Sequence, residues 1–234
     1  MRSGNAQKGQ SAAGFQERKN DSAIAKRLSN MEVRFDESET IVVDLGTGFI
    51  KAGYSGEDLP RVVIPTVLGE KQHTAIEDAV NNPNGDNKPK ITYNYGYDAY
   101  ASMSDHQLHQ PIQRGIIQDT ERLKLLLQYI FEVELNLESR SMNVLMTDCP
   151  LSKKEHKQQL ATLMFDHFKV KSFALMNSGV LSLFSTGLTT GLVADVGEGV
   201  TYTVPVFEGY ALPHALYSMN VSGEDVTKKL MAEL

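Results

Sequence analysis

Two glycine-containing segments, far apart in the chain, constrain this sequence more than any other feature. The second segment, Val193–Phe207, reads VADVGEGVTYTVPVF, in which Asp195 and two glycines, Gly197 and Gly199, separate two runs rich in β-branched residues. Such runs around a glycine turn predict a β-hairpin. Glycine has no Cβ, so backbone N–H groups at the turn can approach an anion closely. Taken alone, this composition favours a simple structural hairpin over an anion site.

The first segment repeats the same pattern. Residues 41–54 read IVVDLGTGFIKAGY, with an aspartate and two glycines at the same spacing, and Lys51 adds a cation that the second copy lacks. Two such hairpins predict a clamp that holds phosphates between its tips. Asp44 and Asp195 would then hold a hydrated Mg²⁺ between them, since Mg²⁺ in proteins keeps most of its waters. The repeat therefore indicates nucleotide chemistry.

At these residues the chain resembles the actins. The segment DLGTGFIKAGY, from Asp44, is similar to the first actin phosphate loop, and Asp195–Ala215, which contains EGYALPHA, is similar to the second. The resemblance covers about Thr40 to Leu234, with one insertion between Gly69 and Ile91. It corresponds to the N-terminal half of an actin, so a truncated product of a longer actin is one interpretation of the chain.

The resemblance implies an α/β fold of the actin-like ATPase (ribonuclease H-like) type, present as the first half plus the opening sheet of the second half. Residues 1–38 are rich in Ser, Gln, Asn and Gly, which predicts a disordered polar tail, with a mitochondrial presequence as the alternative. Residues 39–185 would form the first domain, with a polar loop inserted at about 70–90. Residues 186–234 would hold the opening hairpins and first helix of a truncated second domain.

The resemblance also implies roles for individual residues. Asp44, Lys51 and Asp195 are the strongest candidates, and the two aspartates would bind the metal through water. The full set of cofactor-binding candidates is Asp44, Gly46, Thr47, Gly48, Lys51, Asp195, Gly197, Glu198, Gly199 and Val200. Leu45 stands where actins have an Asn and Val196 where they have a Ser. Two polar side chains near the phosphates are therefore replaced by apolar ones, while the backbone amides are retained.

Two catalytic positions also depart from the actin pattern. Ser178 replaces a Gln and Tyr202 replaces a His, and both of the actin residues help to orient the attacking water. A serine is too short to reach the position of a Gln amide, and a phenol is a poor base near neutral pH. Phosphoryl transfer depends mainly on positioning and charge stabilisation. We therefore expect weak or absent hydrolysis, at most that of a slow actin-type ATPase.

These features favour an actin-like cytoskeletal protein of the cytoplasm that binds ATP or ADP with Mg²⁺ weakly, with actin or actin-binding proteins as further partners. The alternatives are a non-enzymatic interaction module with the same fold and a truncated actin that binds no nucleotide. The net charge of −6 argues against a nucleic-acid surface, and no apolar run is long enough to span a bilayer. The single cysteine, Cys149, cannot form an internal disulfide, which fits a reducing compartment. Neither Cys149 nor the six histidines show a catalytic or metal-ligand arrangement.

Periodicity predicts the elements that carry this site. Strands are expected at Thr40–Val43, Phe49–Tyr54, Arg61–Ile64, Asn143–Thr147 and Lys171–Met176. Asp119 is expected to cap a helix with an apolar stripe, and a capping box of Ser152 and Glu155 is expected to begin the next helix. A short helix is expected at Ser178–Ser185 and a last one after a capping box at Ser222. This alternation predicts a mixed sheet with helices on its faces.

Two apolar helix faces are expected to be exposed, because the remainder of an actin would cover them. They are part of the stripe Leu160, Leu163, Met164 and Phe168 and the side of the last helix that carries Val226 and Leu230. A sizeable exposed apolar patch would favour an obligate partner or self-association.

Overall fold

The computed structural model describes residues 40–73, 90–138, 140 and 142–234. The polar tail expected at residues 1–38 and most of the loop expected at 70–90 lie outside these ranges. The strands are β1 (Thr40–Leu45), β2 (Phe49–Tyr54), β3 (Val62–Pro65), β4 (Leu68–Gln72), β5 (Ile91–Tyr95), β6 (Gln107–His109), β7 (Ile112–Gln113), β8 (Ile116–Ile117), β9 (Asn143–Asp148), β10 (Ser172–Asn177), β11 (Gly191–Val196), β12 (Thr201–Phe207), β13 (Tyr210–Ala211) and β14 (Tyr217–Met219). The α-helices are α1 (Tyr97–Ala101), α2 (Thr120–Gln128), α3 (Lys154–Thr162), α4 (Ser178–Phe184) and α5 (Gly223–Glu233).

The first sheet is mixed, as expected. Its five strands lie in the order β10-β9-β1-β2-β3. Strands β1, β9 and β10 are parallel, whereas β1, β2 and β3 form an antiparallel meander. The carboxyl ends of β1, β9 and β10 therefore meet at one edge of the sheet, which is where α/β proteins commonly bind ligands.

Helices α2 and α3 supply the apolar residues that bury one face of this sheet. Asp119 caps α2 by accepting a hydrogen bond from the Arg122 N–H at 2.9 Å, which confirms the expected cap. Each helix continues as a π-helix, over Tyr129–Glu134 and Leu163–His167 respectively. The core cluster contains the expected stripes Leu123, Leu126, Leu127, Ile130 and Phe131 and Leu160, Leu163, Met164 and Phe168. The expectation that part of the second stripe would be exposed is therefore wrong, because α3 places it in the main core.

The start of α3 and the start of the inserted loop also differ from expectation. Lys153, not Ser152, is the N-cap residue of α3, and it makes no side-chain capping bond. The Ser152 N–H donates to the Cys149 carbonyl at 2.9 Å, and this turn delays the helix. Residues 70–72 belong to β4 and pair with β5, so the loop begins later than residue 70.

The second sheet consists of β11, β12, β13 and β14, with β12 paired to each of the other three. Helix α4 packs on one face and contributes Val180 and Leu183 to a small core with Val204 and Val206. A Cβ built on Gly179 would lie 2.7 Å from Val204 Cγ2, so only a glycine allows α4 to approach the sheet this closely.

Helix α5 begins with the expected capping box between Ser222 and Asp225. Val226 and Leu230 are 63% and 60% exposed, which confirms the expected exposure of this apolar side of the helix. Among the described residues, no helix has both the length and the apolar character needed to cross a membrane.

Candidate functional site

The carboxyl edge of the first sheet and the turn of the β11–β12 hairpin enclose a cavity of about 320 Å³. Asp44 lies near the end of β1, Thr147 near the end of β9, and Ser178 directly after β10. The residues predicted from sequence all line this cavity. They are Asp44, Gly46, Thr47, Gly48, Lys51, Ser178, Asp195, Gly197, Glu198, Gly199, Val200 and Tyr202. The structure thus brings together two segments that are far apart in sequence, while the role of each residue stays a prediction.

The two hairpins have the same turn geometry. The Gly46 N–H donates to the Phe49 carbonyl at 3.1 Å, and the Gly197 N–H donates to the Val200 carbonyl at 3.0 Å. The first turn is held further by the buried Thr66, whose hydroxyl donates to the Gly46 carbonyl at 2.8 Å. The repeat seen in the sequence is therefore a repeat in structure.

The tips of the two hairpins pack against each other reciprocally through their second glycines. A Cβ on Gly48 would lie 2.8 Å from Glu198 Cγ, and a Cβ on Gly199 would lie 2.7 Å from Thr47 Cγ2. The middle residue of each Gly-x-Gly turn therefore covers the second glycine of the other turn. Because real Cβ atoms do not approach other atoms this closely, both positions need glycine for the hairpins to meet.

The same tips carry backbone donors that the chain does not use. Within the described residues, the N–H groups of Thr47, Gly48, Glu198 and Gly199 have no hydrogen-bond acceptor. Successive free amides at a glycine turn form a concave site suited to phosphate oxygens. The cavity therefore fits the phosphate portion of a nucleotide.

Asp44 is oriented by two neighbours. Lys51 Nζ lies 3.3 Å from Asp44 Oδ2, and the Thr147 hydroxyl donates to Asp44 Oδ1 at 2.9 Å. Thr147 Oγ1 in turn accepts from the Leu45 N–H at 2.9 Å. Within the described residues, no group of three or more His, Cys, Asp or Glu side chains could ligate a metal directly. Asp44 and Asp195 both line the cavity, and their carboxylates suit a metal held through water.

Tyr202 and Cys149 contact each other at the cavity wall, where the Tyr202 hydroxyl and the Cys149 Sγ share a hydrogen bond. Burial is the main cause that raises the pKa of both groups, and their mutual contact raises the pKa of Tyr202 further. Both groups are therefore protonated near neutral pH. Tyr202 is a poor base in this environment, and Cys149 is a poor nucleophile.

Sequence reasoning missed the contribution of Arg114, Gly115 and Thr147 to this region. Arg114 forms an ion pair with Asp225, with Nη2 lying 3.0 Å from Oδ1. The hydrogen bond from Arg114 is the largest cause that lowers the pKa of Asp225 to about 2. A two-residue turn between two isoleucine-containing pairs, IQ-RG-II, is the signal that indicates a hairpin at this point.

A family model described as Actin matches residues 35–234. The match includes both hairpins, every residue that lines the cavity and all the described structure. Together with the mixed sheet and its covering helices, it confirms the actin-like α/β fold. The chain belongs to the actin family.

Proposed function

We propose that this actin-like protein binds the phosphates of ATP or ADP, with Mg²⁺, between the tips of its two Gly-x-Gly hairpins. The observation that carries the proposal is the reciprocal packing of the tips, at which four backbone amides have no acceptor within the described residues. Actin family membership supports the same ligand. Cytoplasmic and cytoskeletal roles, with actin or actin-binding proteins as partners, are the functions that we infer from the family.

The proposed roles follow from the chemistry of each group. The hairpin amides would bind phosphate oxygens, and Lys51 would supply the positive charge next to Asp44. Asp44 and Asp195 would hold Mg²⁺ through water. When bound, Mg²⁺ would neutralise part of the phosphate charge. The side chains of Leu45 and Val196, which line the cavity, offer no hydrogen bond to the phosphates. These losses fit the expectation of weak binding, with an affinity in the range of tens of micromolar or weaker on the order-of-magnitude scale that relates contacts to affinity.

Lys51→Ala is expected to weaken binding of a fluorescent ATP analogue about 10-fold, because a charge-assisted hydrogen bond to phosphate is lost. The measurement is a fluorescence titration with and without Mg²⁺. Lys71→Ala is the matched control, because Lys71 forms an ion pair with Asp105 at 3.2 Å and does not line the cavity. Equal affinity of Lys51→Ala and the unaltered chain would show that the hairpins do not clamp phosphates.

A non-enzymatic interaction module is a second candidate function, and the exposed apolar surface of α5 favours it. Val226, Leu230 and Met231 are all more than half exposed, and all three lie on α5. Single exposed apolar residues are common, but grouped ones usually mark a surface that binds a partner. This function does not require nucleotide binding.

We expect the unaltered chain to self-associate and to bind a hydrophobic dye at micromolar concentration, and we expect Val226→Glu combined with Leu230→Glu to abolish both. The physical reason is that two carboxylates would interrupt the apolar surface. Sedimentation velocity and binding of a hydrophobic dye are the measurements. Val133→Glu is the control, because Val133 is equally exposed on a different helix. A compact, dye-silent monomer of the unaltered chain would contradict this expectation.

A further inference from the structure

A third hairpin tip lies between the two phosphate hairpins. Strands β7 and β8 are joined by the two residues Arg114 and Gly115, whose φ values are 48° and 73°. Positive φ at both positions is typical of a type I′ turn, where Asn-Gly is the preferred pair. Arginine is an unfavourable residue for this backbone conformation. The presence of an arginine at this position therefore needs an explanation other than turn formation.

Gly115 contacts the first phosphate hairpin. Its N–H donates to the Thr47 hydroxyl at 2.9 Å. A Cβ at this position would lie 3.2 Å from Cys149 Sγ and 3.3 Å from the Tyr202 hydroxyl. The turn therefore approaches the cavity wall closely and reaches the middle residue of the first Gly-x-Gly turn.

Arg114 contacts the second phosphate hairpin and the start of α5. Its guanidinium donates to the Asn220 carbonyl at 2.9 Å, to both carboxylate oxygens of Asp225 at 3.0 and 3.3 Å, and to the Gly199 carbonyl at 3.4 Å. A Cβ on Gly199 would lie 3.0 Å from Arg114 Cα, so the two backbones are in direct contact. A planar guanidinium suits this set of diverging acceptors.

The first residues of α5 are hydrogen-bonded to the second phosphate hairpin. The Gly223 N–H donates to the Gly197 carbonyl at 2.9 Å, and the Glu224 N–H donates to the Glu198 carbonyl at 3.0 Å. Asp225, the partner of Arg114, belongs to the capping box of the same turn. Arg114 therefore acts on the second hairpin both directly and through α5.

We propose that Arg114 is a positioning residue that fixes the separation of the two phosphate hairpins by joining the β7–β8 turn to Gly199 and α5. This inference rests on the proposed function for its effect on nucleotide, and it also predicts an effect on the chain without nucleotide. The guanidinium contacts the second hairpin and the start of α5 and is not among the residues that line the cavity, so it acts on nucleotide only through these elements.

The test compares Arg114→Asn, Arg114→Lys and Arg122→Gln. Arg114→Asn removes the guanidinium and gives the preferred Asn-Gly turn, so it separates positioning from turn formation. Arg114→Lys keeps the positive charge but lacks the planar guanidinium and its several N–H donors. Arg122→Gln removes an ion pair with Glu70 at 2.9 Å that has similar exposure and lies away from the cavity. The measurements are the dissociation rate of a fluorescent ATP analogue and hydrogen exchange of the Gly223 and Glu224 amides.

Arg114→Asn is expected to raise both the dissociation rate and the amide exchange rate about 10-fold, since several charge-assisted hydrogen bonds are lost at a partly exposed site. Arg114→Lys should lie between it and the unaltered chain, and Arg122→Gln should change neither rate. Unchanged exchange in Arg114→Asn, or an equal change in Arg122→Gln, would overturn the proposal. If the unaltered chain binds no nucleotide, the proposed function fails and the exchange rates alone decide the role of Arg114.

Discussion

Gly48→Ala is expected to lower nucleotide affinity between 10- and 100-fold. This effect is larger than the effects of about 10-fold expected for Lys51→Ala and Arg114→Asn. The added methyl group would lie 2.8 Å from Glu198 Cγ and 2.9 Å from Glu198 Cβ. Glu198 Cβ is fixed to the backbone, so a rotation of the side chain cannot relieve the clash. The two tips must move apart, and overpacking of this kind costs about 1–3 kcal/mol. Because 1.4 kcal/mol is a factor of 10 in affinity, this cost spans the expected range.

The variant is informative because its effect has one identifiable source. The φ of Gly48 lies outside the left-handed region, so alanine fits the backbone there. Adding Glu198→Gly removes both atoms that the methyl group meets, and the double variant should recover most of the lost affinity. The measurements are nucleotide titrations of the single and double variants, arranged as a double-mutant cycle. A double variant that binds no better than Gly48→Ala would show that the tips do not pack reciprocally when nucleotide is bound.

Local sequence patterns were sufficient to predict the two hairpins and the positions of Asp44 and Asp195. The resemblance to actins supplied the other candidate residues, and neither source predicted that Gly115 and Thr147 also line the cavity. The Asp-x-Gly-x-Gly spacing determines both the turn and the placement of the aspartate at the end of its strand, and neither depends on distant residues. The repeat of this pattern predicted that two distant segments act together. The stripe from Leu123 to Phe131 was predictable for a similar reason, because helical periodicity alone defines the buried face.

Competing local turns and contacts between distant segments were not predictable in the same way. The spacing of Ser152 and Glu155 fits a capping box, but the turn at Cys149 makes Lys153 the N-cap residue. The burial of Leu160 and its neighbours depends on which element packs against α3, and a helical pattern does not contain that information. The ion pair between Arg114 and Asp225 joins segments that are 111 positions apart. Only the folded chain brings these two side chains together.

The expectation of weak or absent hydrolysis rests on Ser178 and Tyr202, and Tyr202 is the residue at which it can be tested most directly. The Tyr202 side chain is 8% exposed, and its hydroxyl is engaged by Cys149. Ser178 is the first residue of α4, where Asn177 caps the helix by accepting from the Gly179 N–H at 2.9 Å. The cap positions the Ser178 backbone at the start of α4, and its short side chain does not reach as far as a glutamine amide would.

Ser178→Gln combined with Tyr202→His is therefore expected to raise phosphate release about 100-fold above that of the unaltered chain. A glutamine amide can reach further into the cavity, and a histidine can accept a proton near neutral pH, whereas burial keeps Tyr202 protonated. General-base catalysis typically contributes a factor of about 100 to 10,000. Turnover of the double variant should rise with pH through the pKa of the introduced histidine, because only the neutral imidazole can act as a base. The unaltered chain should lack this pH dependence.

Tyr202→Phe is the control for this experiment. It removes the hydroxyl that contacts Cys149 and keeps the ring in the small core with Val204. If Tyr202 takes no part in proton transfer, phosphate release should be unchanged in Tyr202→Phe, as measured with a coupled phosphate assay. A large loss of turnover in this variant would assign the phenol a direct catalytic role. Rapid phosphate release by the unaltered chain would contradict the expectation of weak or absent hydrolysis, and it would move the water-orienting function away from Ser178 and Tyr202.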